Sequence, residues 1–463
     1  MKSLLLKNFS LTSKEKYKLL VGGVIFFFII SAYTIALELK YSIFSTMIGV
    51  EYLPIAKIIT FFILTPAILL DGWLVDRFKR HQLLMTYTAF FGMTGLILSL
   101  LLLHPTIGLE NTTTNKYRLI GWCFLIYQEG YAPFLLGIFW SFMNSIHSPE
   151  SAAKTYGFTV SCSKLGGILI GFSAYLFLNS NNSILHINIG DNIKIVMLVT
   201  LAALMLIFVP IFLYYAMKKF DKQIFVGSHT KIKNEKLKKT GVWVGIKLLI
   251  KNRYVLGIFL MIFIGDTLVE VVNYKRLLIV MNDVTSKTSG ANNIASFGAK
   301  MFMQISIMHL LGFFISFFLT NSIMRFIGTR LAIFISPILA ALFFLIYFIT
   351  GLDYLVIWLY VIMKAMAYTI NAPIRESLYI ITSKDIQFKA KFTIDAIGLK
   401  LSRSTGHVFN HFNVHCIPKL YGTTGSALAN NIFFSTMIVI WLVSSYFVSN
   451  VYYQAIKSNK IIS

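Results

Sequence analysis

The chain alternates long apolar runs with short polar turns. Runs of about 20 apolar residues, the length at which a helix crosses a bilayer core, fall at 19–37, 53–75, 83–103, 119–143, 156–178 and 195–217. A second set follows at 255–272, 301–320, 331–350, 354–373, 392–415 and 427–448. The pattern predicts an all-α polytopic membrane protein of about 12 transmembrane helices in two six-helix halves. Residues 1–217 form the N-terminal half, 218–250 a basic linker and 251–463 the C-terminal half. The linker carries Lys218, Lys219, Lys222, Lys231, Lys233, Lys236, Lys238 and Lys239 against Asp221 and Glu235. With an even number of spans, the linker, the N-terminal lysines, the Arg77-Phe78-Lys79-Arg80 turn and the tail share one side. Basic loops stay cytoplasmic, so both termini and the linker are expected in the cytoplasm, in a multi-pass protein of the bacterial inner membrane.

Composition agrees with that pattern. Of 463 residues, 57% are hydrophobic and 13% charged, against roughly 25% charged in soluble domains, which excludes a soluble enzyme. The net charge of +24 belongs to the cytoplasmic loops, and the bilayer rather than nucleic acid is the expected partner. Cys123, Cys162 and Cys416 have no paired spacing, so neither a disulfide framework nor a thiolate metal site is indicated. The turn after the second span, Asp71 to Arg80, and the turn after the eighth, Asn321 to Arg330, both resemble the polar and basic turn of the major facilitator class. Ser148, Glu150 and Lys154 repeat, with the same offsets, as Ser383, Asp385 and Lys389.

Charges inside the spans carry the functional signal, because each costs about 2.5 to 3.5 kcal/mol on insertion scales. Glu129 interrupts an aromatic and aliphatic run and needs a polar cavity or a basic partner. Glu38 with Lys40 in the first span is matched by Glu270 with Lys275 in the seventh, and the two pairs read as walls of a shared cavity. The alternative for Lys40, Lys275 and Arg276 is snorkelling to the headgroups. Span 11 holds Lys391, Asp395, Lys400 and Arg403; Lys391, Asp395 and Arg403 share a helical face, and Asp395 can pair Lys391 one turn back. Arg403, about 12 Å deeper than Asp395, is hard to place in water. A positive stripe of this kind suits an anionic substrate. His407, His411 and His415 recur every fourth residue and are expected to line a polar or proton-sensitive vestibule, with no metal. No phosphate loop, nucleophile elbow or paired-cysteine motif occurs, so neither catalysis nor a cofactor is expected.

Several of these residues fall in motifs. Tyr33-Thr34-Ile35 ahead of Glu38 and Lys40, Phe139-Trp140 with Phe142 and Asn144, and Val269-Glu270-Val271 ahead of Lys275 come first. Tyr368, Pro373, Arg375, Glu376, then Lys391 to Asp395, then Leu401, Arg403, Ser404 and Gly406 follow. In this order and spacing the chain resembles the nonmitochondrial ATP/ADP translocases, nucleotide transporters of intracellular bacteria and plastids. The resemblance implies a major-facilitator-like fold and nucleotide transport, most often ATP against ADP, with proton-driven import of a nucleotide or another anionic metabolite as the alternative. A membrane enzyme or receptor on the same scaffold is the reading from another class. The positions implied in substrate binding are Lys40, Glu129, Glu270, Lys275, Lys391, Asp395 and Arg403, with Glu38, Asn144, Arg375 and Glu376 as secondary candidates. The chain departs from the family pattern at Leu37, where the motif has Arg, and at Ala367 and Ala372, where it has Lys and Asp.

Overall fold

The computed structural model describes residues 12–147, 149–179, 189–219, 242–287, 293–319, 323, 326–383, 386, 390–394, 398–458 and 461–462. Asp395, the repeated positions Ser148, Asp385 and Lys389, the side chains of Glu150 and Lys154, and linker residues 220–241 lie outside the described set. The apolar runs form helices: α1 Ser13–Met47, α2 Leu53–Arg77, α3 Arg80–Leu102, α4 Leu119–Tyr131, α5 Gly137–Ile146, α6 Pro149–Leu178 and α7 Asp191–Lys219. After them come α8 Val242–Lys251, α9 Arg253–Lys287, α10 Asn293–Phe314, α11 Gly328–Ala332, α12 Ile335–Thr350, α13 Tyr354–Met366, α14 Ala372–Ile380, α15 Leu399–His415 and α16 Ile417–Lys457. The end of the segment read as linker is therefore helical, as α8. Helix α1 starts with a capping box in which Thr12 and Glu15 satisfy each other's backbone donors.

Among the described residues, ten helices are long and apolar enough to cross a membrane. Two expected spans fall short of that test, and both carry site candidates. The fourth carries Gln128 and Glu129 within its run and passes from α4 through a π-helical turn, Ala132–Leu136, that contains Pro133 before α5 resumes. The eleventh, α15, has 17 residues rich in Ser, Asn and His. A π-helical turn also follows α10 at Ile315–Leu319, and a second one beside a proline, Ala367–Asn371, joins α13 to α14 just ahead of Pro373. In both places proline removes a backbone donor, and the wider turn absorbs the misfit.

The described helices divide into two compact units. The first comprises residues 1–53, 62–233 and 280–309; the second comprises 54–61, 234–279 and 310–463. In the first unit α1 packs along α4, α6 and α7, and α3 packs along α7. Phe26 of α1 stacks on Phe139 of α5 at 4.3 Å between ring centres. Tyr131, fully buried at the end of α4, donates to the Ile29 carbonyl of α1 at 2.6 Å. Outside the spans, Arg118 ties down the loop before α4 by donating to the carbonyls of Asn111 and Thr113 at 2.8 and 3.1 Å. Burial lowers its pKa.

The second unit has a core of Tyr254, Val255 and Ile258 from α9 against Met366, Ile370, Ile374 and Leu378 around the second π turn. Tyr254 donates to the Leu378 carbonyl at 2.9 Å. Phe409 of α15 stacks on Phe433 of α16 at 3.8 Å. Near its start α16 breaks at Gly422, which adopts φ 69°, and the membrane-length part begins at Thr424. Positive φ combined with ψ −173° is a region essentially restricted to glycine, and a residue with a side chain there costs about 1–3 kcal/mol. Gly422→Val is expected to lower the thermal unfolding midpoint of the purified protein by that equivalent; an unchanged midpoint would show that the kink carries no strain.

Candidate functional site

In the first unit the site is built on α1 and α4. Lys40 is 1% exposed, and its ammonium donates to Gln128 Oε1 at 2.5 Å and to Glu129 Oε1 at 2.7 Å. The Tyr41 ring centre lies 4.5 Å away. Lys40 does not snorkel. Its charge is held inside the bundle, where an ion costs several kcal/mol unless a counter-charge and hydrogen bonds replace water. Glu38, two residues earlier on α1, is fully buried. Asn144 stands apart in its bonding: it accepts from the Tyr156 hydroxyl of α6 at 2.6 Å.

In the second unit the site is built on α9, α13 and α15. The His407 imidazole Nε2 lies 3.7 Å from Glu270 Oε2, with both side chains nearly buried. The helices come this close because residue 406 is glycine: a Cβ there would meet the Thr267 carbonyl oxygen at 3.0 Å and the Glu270 Cβ at 3.1 Å. The same contact is stitched by Thr267, which donates to the Ser402 carbonyl at 3.0 Å, and by Asn410, which donates to the Glu270 carbonyl at 3.4 Å. Of the three spaced histidines, this one meets the acid. His411 and His415 instead lie with ring centres 4.8 Å apart, and no group of three ligand-type side chains assembles among the described residues.

One turn up α15, Arg403 Nε reaches Asp266 Oδ2 at 3.5 Å. The Arg403 side chain is 48% exposed. Lys364 of α13 lies within electrostatic reach of both Glu270 and Arg403. Lys391 is ion-paired with Glu376 of α14, so its described partner comes from another helix. Lys275 donates to the Tyr347 hydroxyl and sits 4.2 Å above that ring. Its neighbour Arg276 is fully buried, with its guanidinium 4.1 Å from the centre of the Tyr360 ring, which excludes snorkelling for it. Arg375 lines a cavity together with Asp266.

Gln128, Lys364 and the Asp266 partnership are additions to the residues legible in the sequence. Lys364 had a readable signal, since it is a cation in the middle of an apolar run. It stands three residues ahead of a π turn, as Glu129 does in the first unit. Gln128 is uncharged, and only the fold shows that it shares the Lys40 ammonium.

Membrane-length helices in two helical units, with ion pairs within each, make this a polytopic membrane protein of the major facilitator fold. Solved structures agree on that fold. The xylose transporter XylE from E. coli, in an inward-open conformation, is 15% identical over 92% of this chain and 94% of that one, with a TM-score of 0.56. A bacterial homologue of the iron transporter ferroportin is 12% identical over 96% and 99%, with a TM-score of 0.56. The nucleoside transporter NupG is 12% identical over 94% and 98%, with a TM-score of 0.51. The chain matches the TLC ATP/ADP transporter family over residues 3–452 and belongs to it. It is a membrane nucleotide transporter. No curated protein matches it by sequence.

The Lys40–Glu129 contact makes a direct energetic prediction. Removing one partner of a buried pair costs about 3–5 kcal/mol, because the other is left uncompensated. Lys40→Met and Glu129→Met should each destabilise by that order, and the double variant by less than the larger single loss. Unfolding free energies from steric trapping in bicelles would measure the cycle; strictly additive losses would show that the pair is not coupled.

Proposed function

We propose that the protein exchanges ATP for ADP by alternating access, with residues 1–217 and 251–463 as the two rocking halves and the basic 218–250 segment joining them on the cytoplasmic side of a bacterial inner membrane. Membership in the TLC ATP/ADP transporter family supports the cargo. The observation that carries the mechanism is the internal pairing of Lys40 with Glu129. An empty site that neutralises its own cations avoids the unpaired-charge penalty, and a polyphosphate entering it replaces the carboxylate. Such a site is least strained when occupied by cargo or by its own acid, which favours exchange over leak. Lys40 and Arg403 are the phosphate-binding groups in this reading; the guanidinium offers a two-point contact that an ammonium lacks. Glu129 and Glu270 are the acids released when cargo binds. Lys391, paired with Glu376, takes the same part where Glu376 gives way to phosphate.

A second reading, proton-driven import of a less charged nucleotide or another anionic metabolite, is favoured by the His407–Glu270 contact and by the missing cations at Leu37 and Ala367. The two readings separate in one assay. Labelled ATP, ADP and NAD are offered to intact bacteria expressing the chain, with unlabelled ADP added after loading or with an imposed pH gradient. Exchange is expected to appear as ATP uptake followed by ADP-stimulated efflux of label. Uptake that follows the pH gradient and ignores counter-substrate would replace exchange with symport, and no uptake of any nucleotide from inserted protein would remove the ATP/ADP reading. Lys40→Gln and Arg403→Gln are each expected to weaken nucleotide binding roughly 10- to 150-fold, the equivalent of one charge-assisted contact; unchanged affinity in both would displace the anion site. Single cysteines placed at 218–239 should stay unlabelled by an impermeant reagent added outside the cell, and labelling there would invert the topology.

A further inference from the structure

Helix α8 has ten residues, Val242–Lys251, or about 15 Å of helix, roughly half of what a bilayer core demands. It is too short to cross a membrane, yet only Asn252 separates it from Arg253, the first residue of α9 and of that helix's membrane-length stretch. The join is tightly bonded. The Asn252 amide donates to the Leu248 carbonyl at 3.0 Å, and Asn252 Oδ1 accepts from the backbone amides of Tyr254 and Val255 at 3.0 and 3.3 Å. The last turn of α8 is thereby tied into the first turn of α9, which holds α8 at the surface where α9 enters the bilayer.

One face of α8 is occupied. Leu248 and Leu249 pack on the second-unit core, and the helix lies against the helical turn Lys391–Thr393. The other face is open: Ile250 is 68% exposed, and Lys247, Lys251 and Arg253 are exposed around it. Among the described residues, none of these three cations is paired with an acid. The first turn of α9 contains no acid either, although the positive end of a helix dipole favours negative charge there. An exposed aliphatic side chain set among unpaired cations is the composition of a helix lying in the headgroup layer. A soluble anion would answer the cations and leave Ile250 in water, whereas a phospholipid answers both. A zwitterionic headgroup brings no net charge to the cluster; an anionic one neutralises it.

We propose that the open face of α8 is a docking site for anionic phospholipids, with Lys247, Lys251 and Arg253 holding the headgroup phosphates and Ile250 set among the acyl chains. Because α8 lies against the turn that carries Lys391, the bound lipid also steadies Lys391 for cargo, a consequence that rests on the function proposed above.

The test uses the full chain in nanodiscs of phosphatidylglycerol or of phosphatidylcholine, with a spin label at position 250 and Cys123, Cys162 and Cys416 replaced by Ser. In phosphatidylglycerol the label is expected to meet oxygen dissolved in the acyl chains and to be shielded from a water-soluble nickel chelate, and in phosphatidylcholine to become open to nickel. Equal accessibility in the two lipids, or nickel access in phosphatidylglycerol, overturns the lipid site. Native mass spectrometry of the chain with its own cysteines is expected to show phosphatidylglycerol retained over phosphatidylcholine. The combined Lys247→Gln, Lys251→Gln and Arg253→Gln variant should lose at least about tenfold of that preference, at roughly fivefold per charge. No preference in the wild type, or an undiminished one in the variant, overturns the assignment, and displacement of the lipid by equimolar glycerol 1-phosphate would make this a soluble-anion site instead. ATP is expected to bind severalfold more tightly in phosphatidylglycerol than in phosphatidylcholine; equal affinity removes the link to Lys391 and leaves the lipid site, and no ATP binding in either lipid removes the exchange reading together with that link.

Discussion

The Lys40 ammonium is buried and replaces its hydration with one amide oxygen and one carboxylate oxygen from a neighbouring helix. The rest of the first unit follows from keeping those two oxygens in place. Helix α4 must run close to α1, which the Tyr131 hydroxyl on the Ile29 carbonyl and the Phe26–Phe139 stack enforce. In a medium with no water to fall back on, a small displacement of either helix costs more than the same displacement in a soluble bundle. A stiff contact of this kind can switch between two discrete states and resists gradual loosening. That is the property the proposed alternating-access mechanism asks of the contact.

The second unit meets the same constraint with more partners and less enclosure. Glu270 is shared among His407, Lys364 and Arg403, and Arg403 is shared with Asp266. Two permanent cations, Lys364 and Arg403, stand with two acids, Glu270 and Asp266, and His407 adds positive charge only when protonated. The Arg403 side chain is 48% exposed, whereas Lys40 in the first unit is buried.

Much of this was legible along the chain, for a definite reason. Apolar length identifies a span and a charge within it announces its own cost, so Lys40, Glu129, Glu270 and Arg403 stand out without a structure. What stays hidden is the partner. Asp395 is the acid nearest Lys391 in sequence and on its helical face, yet the described ion pair of Lys391 is with Glu376, brought in from α14. Gln128 could not be singled out because an amide is cheap enough to sit in a span for packing alone. Lys364 was readable by the same cost argument and also by position, since it repeats the placement of Glu129 ahead of a π turn. Gly406 looked like one more small residue in a motif; only the approach of α9 gives it the task of bringing His407 to Glu270. The two alanines at 367 and 372 were visible only as missing charge, whereas in three dimensions they line the cavity shared with Asp266 and Arg375.

The paired π turns have one more consequence. Such a turn holds one residue more than the α-helical path it replaces, so it is where a chain absorbs a single insertion without rebuilding what lies on either side. In α4–α5 and in α13–α14 the same detour follows an ionisable residue by three positions, yet that residue is an acid, Glu129, in one and a base, Lys364, in the other. Across α1 and α9 the signs are opposed as well: Lys40 answers Glu129, and Glu270 answers Lys364. The duplicated architecture is thus kept in the backbone irregularity while the charge is inverted, like a cast and its mould. A search for internal repeats by residue identity would pass over this correspondence.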